Sequence, residues 1–327
     1  MLTFPTSTVR NPETNAGFYI VQQATTTSQA LVTFSANLNT SQGPAIVPSI
    51  SLNGRQSKIL VTDYNFGSST LVYSSVDVLT YGIFDVNVVV LYLEEGQAGQ
   101  FALRNAPNAV AYQVFGPTEL TANSSNSSTT FTYVQSSGST VLKFNKVLVY
   151  LLDQQTAWRF WAPSTTNNPD VNPSQQIFVL GPYLVRSAFA SNGTIHIAGD
   201  NDNATTIEVY YSEIQTIYWN GLRLDGRKTP YGAVIAHIPG SESRAVSFPP
   251  LVNWRSADSL PEKRASYDDS RWVVCNKTTT LSPVAPLTKP VLFSSDYGYY
   301  TGAVRIIESL VPQSYLKQDA YSPFNMS

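Results

Sequence analysis

The length, composition and charge of this chain exclude several classes of protein. Its 327 residues exceed one typical domain, and this length suggests two or three domains. Only 13% of the residues are charged and the net charge is -2, so nothing in the composition would attract a nucleic acid. No apolar run reaches the roughly 20 residues that cross a bilayer. Neither a nucleic acid nor a membrane is therefore an expected partner.

Short alternating segments, each bounded by Asn, Ser, Gly or Pro, predict strands from Gly17 onward. The β-branched and aromatic side chains of these segments suit a half-buried, pleated surface, so we expect an all-β fold. A meander of antiparallel strands is the simplest arrangement, and the pairs Asn53-Gly54 and Asn220-Gly221 predict tight hairpin turns. The strands predicted in the first half of the chain are Phe18–Val21, Leu31–Phe34, Lys58–Val61, Thr70–Tyr73, Val76–Tyr81, Val86–Leu93, Gln100–Leu103, Ala109–Phe115, Phe131–Val134, Val141–Phe144 and Val147–Leu152.

Two segments of the first half depart from the strand pattern. Residues 118–130 are rich in Ser, Thr and Asn and predict an exposed, glycosylated loop. Asp153 stands where an N-cap belongs, and it predicts one short helix over residues 154–161 that Pro163 ends. Trp158 and Trp161 would share a face of this helix, where packing in the core is a more common role than a platform for sugars.

Proline-rich composition marks the expected domain boundaries. Residues 165–173 form the clearest linker, because proline excludes both a helix and a β-ladder. We therefore expect an antiparallel β domain over residues 1–173 and a small Greek-key β-sandwich over residues 174–251. Residues 252–327 hold too few predicted strands to close a sandwich, and we interpret them as the truncated start of a jelly-roll domain.

The pattern Asn-x-Ser/Thr, which accepts N-linked glycans, is frequent in this chain and predicts export. Met1 to Pro5 lack the positive and apolar regions of a signal peptide, so we expect the natural start to be missing or internal. Cys275 is the single cysteine, which excludes a disulfide within the chain. The candidate glycosylation sites are Asn39, Asn123, Asn126, Asn192, Asn203 and Asn276, with a further match at Asn325.

Acidic pairs are the first candidates for chemistry in this sequence. Retaining hydrolysis of a glycoside needs two carboxyl groups about 5 to 5.5 Å apart across the scissile bond. Glu94 and Glu95 are adjacent, and neighbours in a strand point to opposite faces, so a solvated turn before Gly96 is the better interpretation. Asp268 and Asp269 are likewise interpreted as a turn or cap before Trp272. We therefore expect no catalytic residue in this chain.

Metal and cofactor sites are also not expected. The run Asp200-Asn201-Asp202-Asn203 resembles part of a calcium loop but lacks its glycine and its distal glutamate, so it predicts a hairpin tip. His196 and His237 lie in predicted strands without a second ligand at metal spacing, which favours packing inside the fold or at a sheet edge. Cys275 has no neighbouring base and is interpreted as an inert thiol or the partner of a cysteine elsewhere. Residues 96–99 and 181–183 are interpreted as turns rather than phosphate-binding loops.

Six ordered motifs resemble fungal β-galactosidases of glycoside hydrolase family thirty-five. In chain order they are LNGRQSKILVTDY at residues 52–64, LVYSS at 71–75, LYLEEGQ at 91–97, FWAP at 160–163, GPYLVR at 181–186 and YDDSRW at 267–272. In that family a TIM barrel comes first and holds two catalytic glutamates, and a β domain, a Greek-key sandwich and jelly rolls follow. The resemblance implies that this chain covers the second and third domains and the start of the fourth. Residues 305–327 depart from the family pattern, which suggests a truncated or misjoined gene model.

The resemblance implies a function that this chain does not perform alone. It implies the non-catalytic β domains of a secreted enzyme that releases terminal β-D-galactose, with the missing barrel as partner and β-galactosides bound through the parent enzyme. A carbohydrate-binding module that uses exposed Trp or Tyr side chains is an alternative. A fragment of a gene model without an independent role is another.

Overall fold

The computed structural model describes residues 6–23, 27–54, 56–104, 112–166, 172–201, 203–212 and 214–240, together with residues 252, 266–268 and 270. The chain divides into two compact units, Met1–Ser243 and Arg244–Ser327. The jelly roll expected over residues 252–327 lies almost entirely outside the described residues, so the architecture below is that of the first unit. The predicted boundaries at residues 173 and 251 stay predictions.

The first block of the structure is built almost wholly of strands, as the all-β expectation requires. Each strand predicted in this half has an observed counterpart, apart from residues 109–111, which lie outside the described residues. The elements are β1 (Thr6–Arg10), β2 (Gly17–Gln22), β3 (Val32–Thr40), β4 (Gly43–Leu52), β5 (Ser57–Phe66), β6 (Ser69–Ser74), β7 (Asp77–Ile83), β8 (Asn87–Leu93), β9 (Ala98–Arg104), β10 (Tyr112–Phe115), β11 (Leu120–Ser124), β12 (Ser128–Val134), β13 (Ser139–Phe144), β14 (Val147–Asp153) and α1 (Gln154–Ala157).

Two large sheets of this block face each other across an apolar core. One has seven strands in the order β1-β2-β5-β6-β9-β12-β11, and the other has five in the order β10-β13-β14-β8-β7. Phe66, Phe101 and Phe131 from the first sheet pack against Leu91 and Leu151 from the second. β8 and β14 pair in parallel, so the simple meander predicted from the sequence is wrong. A parallel pair needs a crossover connection, and here the chain passes to the seven-stranded sheet for β9 and again for β11 and β12 before it reaches β14.

The hairpin of β3 and β4 forms a separate two-stranded sheet on the other face of the seven-stranded sheet. Leu38, Val47, Ile50 and Leu52 of the hairpin pack there in one buried cluster with Leu60. The Asn-Gly pair at residues 53–54 therefore links two sheets and does not close a hairpin, because β4 pairs with β3 while β5 pairs with β2 and β6. Gly54 has φ +56, so the Asn-Gly signal correctly predicted a left-handed backbone at this position. The hairpin that it also predicted is wrong.

The loop predicted over residues 118–130 is instead a β-hairpin. β11 pairs antiparallel with β12, from Leu120 opposite Tyr133 to Ser124 opposite Thr129. The polar composition that suggested a loop reflects exposure, since every residue of β11 after Leu120 is exposed. A strand at the edge of a sheet needs few apolar side chains, and its backbone still finds hydrogen-bond partners on one side.

The predicted helix is shorter than expected, because only Gln154–Ala157 are helical. Asp153 caps it as predicted, with its carboxylate accepting from the Thr156 amide. Phe160 and Trp161 form β15, which pairs with the next strand along the chain, so tertiary pairing overrides helix propensity within one turn. Trp158 is 68% exposed and does not enter the core, which corrects the packing expected for it.

The second block is a β-sandwich of five and four strands. The sheets have the orders β15-β16-β19-β23-β22 and β17-β18-β20-β21, and their apolar faces enclose Ile195, Ile207, Val209 and Trp219. The Asn-Gly pair at residues 220–221 closes the predicted two-residue hairpin, with Trp219 opposite Leu222 and φ of 47° and 83° at the turn residues. The strands are β15 (Phe160–Trp161), β16 (Phe178–Leu180), β17 (Leu184–Ser191), β18 (Thr194–Asp200), β19 (Thr205–Tyr210), β20 (Thr216–Trp219), β21 (Leu222–Leu224), β22 (Gly226–Lys228) and β23 (Val234–Ile238).

An aromatic joint connects the two blocks within the first unit. Val88, Val90 and Tyr150 on the second face of the five-stranded sheet pack with Phe178 and Tyr210 of the second sandwich. The Phe178 ring lies 5.1 Å, centroid to centroid, from both Phe84 and Phe160 in edge-on arrangements. β8 and β14 are thus covered on both faces, which explains their continuous apolar sequence. We call this cluster of buried residues the aromatic joint.

Candidate functional site

A polar cleft of about 520 Å³ opens beside the aromatic joint and is the candidate site in this structure. Its walls come from the turn after β8, the turn before β13, the helix α1 and the segment between β16 and β17. Carboxylates, amides and hydroxyls dominate the lining, and only Leu180 is a large apolar residue. The lining residues are Glu94, Glu95, Ser137, Gly138, Asp153, Gln154, Gln155, Thr156, Arg159, Leu180, Gly181 and Thr205.

Asp153 is the most tightly held carboxylate of the cleft. It accepts hydrogen bonds from the amide of Gly138, from the Thr156 amide at 2.9 Å and from the Thr156 hydroxyl at 2.8 Å. Burial disfavours its charge, but the backbone hydrogen bonds from Thr156 and Gly138, with the Thr156 hydroxyl, outweigh burial and lower the pKa of Asp153. An acid with a lowered pKa stays ionised, so this carboxyl group caps α1 and is a poor proton donor.

Glu94 and Glu95 lie in the turn that the sequence predicted. Gly96 follows them with φ +81, and Glu95 is exposed. The Glu94 carboxylate accepts from the Gln97 amide at 2.7 Å and from the Asn53 amide at 3.4 Å. It therefore belongs to a hydrogen-bonded turn rather than to an acid–nucleophile pair.

Lys58 is fully buried behind this turn. Its ammonium donates to the Gln97 side-chain oxygen at 2.8 Å, and only 2% of the residue is exposed. Burial lowers the pKa of Lys58, although the charges of Asp77 and Glu94 oppose that shift. Burial likewise raises the pKa of Asp77, and Lys58 and the Ile59 amide oppose it. The charges of Lys58, Asp77 and Glu94 thus hold the turn that carries Glu94 and Glu95 in place.

The aromatic joint holds an acidic residue that the sequence analysis missed. Glu208 on β19 accepts a hydrogen bond from the Tyr150 hydroxyl at 2.9 Å, and only 8% of it is exposed. Burial raises the pKa of Glu208, while hydrogen bonds from Tyr150 and Tyr231 act in the opposite direction. The available signal was a single charge inside the apolar run Ile207-Glu208-Val209-Tyr210, because a charge in such a strand needs a buried partner.

The histidines occupy strands, as predicted, but neither is buried or on an edge strand. His196 on β18 stacks on Tyr218 with ring centroids 4.7 Å apart, and His237 lies on β23. Both side chains are exposed on inner strands of their sheets. Within the described parts of the chain, no group of three or more His, Cys, Asp or Glu side chains could hold a metal ion.

The acidic run at residues 200–203 does not form the predicted hairpin tip. Asp200 ends β18 and Thr205 begins β19, and these strands belong to different sheets. The Asp200 carboxylate is paired with Arg186, and the Asn201 amide donates to the Pro239 carbonyl at 3.1 Å. Asp202 lies outside the described residues. The segment therefore links two sheets.

The glycine-containing segments at residues 96–99 and 181–183 are not helix-opening loops. Gly181 directly follows β16 and has φ +117. A Cβ at this position would lie 2.0 Å from the Thr206 carbonyl oxygen. Only glycine permits this contact between backbones, which positions the floor of the cleft.

In the second unit, Asp268 accepts from the Ser270 amide at 3.0 Å, an arrangement that agrees with the predicted turn. Asp269, Cys275, Asn276 and Asn325 lie outside the described residues. Where the structure describes the chain, no helix is long and apolar enough to span a bilayer.

Five candidate glycosylation sites fall on described residues, and all five are exposed. Asn39 lies in β3 and Asn123 in β11, whereas Asn126, Asn192 and Asn203 lie in connections between strands.

Together these features define an all-β protein of stacked sandwiches. Three β-galactosidase domain families match the chain: "Beta-galactosidase, domain 2" over residues 4–160, "Beta-galactosidase, domain 3" over residues 161–235 and "Beta-galactosidase second all-beta domain" over residues 267–319. The chain belongs to the β-galactosidase family, of which it carries these three β domains.

The relatives to which we compare this chain are fungal proteins. The chain is 62% identical over 298 residues to a "Probable beta-galactosidase C" of Sclerotinia sclerotiorum, and 52% identical over 298 residues to proteins of that name from Penicillium rubens and Aspergillus niger. Each alignment covers 90% of this chain and 30% of the relative. The chain thus spans about a third of the length of these relatives, and the resemblance stated from its motifs is confirmed.

Proposed function

We propose that this chain forms the non-catalytic β domains of a secreted β-galactosidase and supports the barrel that carries the catalytic glutamates. The parent enzyme would release terminal β-D-galactose from β-galactosides through a covalent glycosyl-enzyme. The relatives named as β-galactosidases are longer than this chain, which supports a role as one part of a larger enzyme. Exposed acceptor asparagines support export.

The state of the cleft carboxylates is the observation that carries the non-catalytic role. A retaining glycosidase needs one carboxyl group with a raised pKa beside an ionised nucleophile. In the cleft, hydrogen bonds lower the pKa of Asp153, and Glu94 is hydrogen-bonded to Gln97 and Asn53. Burial does raise the pKa of Glu208, but this residue lies in the aromatic joint, bonded to Tyr150. Asp77 and Glu208, the described carboxyl groups whose pKa burial raises, do not line the cleft.

The support role follows from how the two blocks are joined. Apolar rings and one buried acid join the second sandwich to the five-stranded sheet, and we infer that the pair acts as a rigid platform. A rigid platform can hold a neighbouring domain at a constant orientation, which an active site at that domain needs.

The purified chain, assayed on a chromogenic β-galactoside, tests this proposal. We expect no turnover above a buffer blank under conditions in which the full-length Sclerotinia relative hydrolyses the substrate. Turnover comparable with that enzyme would contradict the proposal.

Carbohydrate binding is the second candidate function, and two exposed aromatic residues favour it. Trp158 is 68% exposed and precedes the cleft residue Arg159, and Tyr183 is 57% exposed and follows the cleft residue Gly181 by two positions. Rings of this kind can bind the apolar face of a sugar. Isothermal titration with galactosides would give heat that Trp158→Ala abolishes if this function is real, and no heat if it is not.

A further inference from the structure

The sequence contains three Asn-Gly steps, and the asparagine of each step is exposed. Glycine has no Cβ, so its backbone nitrogen can come close to the side-chain carbonyl carbon of the preceding asparagine. This approach is the first step of spontaneous deamidation, which converts asparagine to aspartate or isoaspartate. The contacts of each turn decide how readily its asparagine reacts. The steps are Asn53-Gly54 between β4 and β5, Asn192-Gly193 between β17 and β18, and Asn220-Gly221 between β20 and β21.

The Asn220 side chain is held by both of its polar atoms. Its nitrogen donates to the Gly199 carbonyl at 2.9 Å, and its oxygen accepts from the Gly199 amide at 3.0 Å. Both hydrogen bonds must break before the side chain can rotate towards Gly221. Asn192 has the same backbone conformation, with φ 47 at each asparagine, but its side chain makes no hydrogen bond with another described residue. These two turns therefore differ in side-chain contacts and not in backbone conformation.

The Asn53 side chain is held by one long hydrogen bond. Its nitrogen donates at 3.4 Å to a Glu94 carboxylate oxygen that also accepts from Gln97 at 2.7 Å. The contacts of Asn53 with Gln56 across the turn involve the Asn53 backbone and not its side chain. The space around Gly54 is open, because a Cβ there would have its nearest contact at 4.0 Å. The Asn53 side chain can thus rotate towards the Gly54 amide after the loss of a single weak bond.

We propose that Asn53 is a site of spontaneous deamidation in the folded chain, and that Asn220 is protected from the same reaction. The Gly54 backbone nitrogen loses its proton and bonds to the side-chain carbonyl carbon of Asn53. The bond from that carbon to the side-chain nitrogen breaks, and the nitrogen takes up a proton and leaves as ammonia. Water then opens the resulting succinimide ring at either carbonyl, which gives aspartate or isoaspartate.

The product places a second carboxylate beside Glu94. The Asn53 amide donates to Glu94, and a negatively charged acceptor replaces this donor after deamidation, so an attraction becomes a repulsion. Glu94 also accepts from Gln97, whose side-chain oxygen accepts from the buried Lys58. Isoaspartate in addition lengthens the backbone of the link between β4 and β5. Deamidation at Asn53 should therefore loosen the turn that carries Glu94.

Peptide mapping by mass spectrometry tests the site. The full chain, produced in bacteria without N-glycans, is kept in mildly alkaline buffer until a free peptide of residues 52–56 is half converted. We expect aspartate and isoaspartate at Asn53, and conversion at Asn220 that is roughly tenfold slower, because two hydrogen bonds must break there first. Asn192 should also convert faster than Asn220. An unchanged Asn53, or conversion at Asn220 as fast as at Asn53, would overturn the proposal.

Substitutions test the effect of the new charge. Asn53→Asp should lower the midpoint of urea denaturation, whereas Asn192→Asp adds the same charge at another exposed turn and should not. When Glu94 is already replaced by Gln, Asn53→Asp should cause a smaller shift, because the repulsion between carboxylates is absent. An unchanged midpoint in Asn53→Asp, or the same shift with and without Glu94, would contradict the loosening of the turn. Neither measurement involves hydrolysis of a galactoside, so these results are independent of the proposed function.

Discussion

The aromatic joint and the polar cleft lie side by side, yet they use acidic residues in opposite ways. In the joint, Glu208 is buried, its pKa is raised, and it bonds to Tyr150 across the two blocks. In the cleft, Asp153 is surrounded by donors, its pKa is lowered, and it caps a helix. Burial raises the pKa of Glu208 in the joint and of Asp77 beside Lys58, and neither residue lines the cleft. The shifted pKa values of Glu208 and Asp153 thus both reflect structural contacts, a bond between two blocks and a helix cap.

A substitution in the apolar part of the joint should have the largest effect on the free energy of unfolding. Phe178 is 2% exposed and contacts Phe84 and Phe160, so Phe178→Ala should lower the free energy of unfolding by about 3 to 5 kcal/mol. Urea denaturation measures this change. Trp158→Ala on the exposed side should change stability by no more than about 0.5 kcal/mol. Equal effects of the two variants would contradict the packing described for the joint.

The polar bond of the joint gives the next largest effect. Tyr150→Phe removes the donor to Glu208 and leaves a buried carboxyl group with fewer partners, which should cost about 1 to 3 kcal/mol of unfolding free energy. Tyr183→Phe is the matched control, because this hydroxyl belongs to an exposed ring. A loss in the control as large as in Tyr150→Phe would argue against a special role for the bond.

Loss of the cap at the cleft should have a smaller effect. Asp153→Ala removes the acceptor for Thr156 and Gly138, and we expect a loss of about 0.5 to 2 kcal/mol in unfolding free energy. Because the pKa of Asp153 is lowered, its contribution is present above the ordinary value of 3.8 and is lost as the pH falls through the folded-state pKa. Asp225→Ala, at an exposed position, should leave this acid dependence unchanged.

The pH dependence of the unfolding free energy also distinguishes the joint from the cleft, and it is the smallest effect that we expect. Because the pKa of Glu208 is raised, the folded state binds a proton that the unfolded state releases above the ordinary value of 4.5. Its contribution to stability therefore falls as the pH rises from 4.5 towards the folded-state pKa. Glu208→Gln should remove this fall, and Glu95→Gln should not. Unfolding curves at several pH values would contradict the account if both variants kept the slope of the natural chain.

Local signals predicted the elements of this fold better than their connections. The strand positions and the turn at Asn220-Gly221 were confirmed because alternation and left-handed turn residues act within a few positions. At Asn53-Gly54 the same signal marked a passage between sheets, because the choice of partner strand depends on cores formed far along the chain. Val86–Leu93 and Val147–Leu152 were predicted as strands, but nothing local indicated that they pair in parallel.

The cleft was only partly predictable from the sequence. The turn at Glu94-Glu95 and the cap at Asp153 follow from neighbouring residues, and both were correctly placed. The partnership of Tyr150 with Glu208 joins residues 58 positions apart, so it depends on the packing of two blocks. The helix predicted over residues 154–161 ends at Ala157 for the same reason, since Phe160 and Trp161 pair with β16.

Chemical trapping tests the central claim most directly. A retaining glycosidase forms a covalent glycosyl-enzyme, which an activated 2-deoxy-2-fluoro-galactoside arrests on the nucleophile. Intact mass spectrometry of this chain after incubation should show no added sugar, while the full-length Sclerotinia relative gains one fluorogalactosyl group. A stoichiometric mass increase on this chain, mapped to any of its carboxylates, would contradict the non-catalytic role.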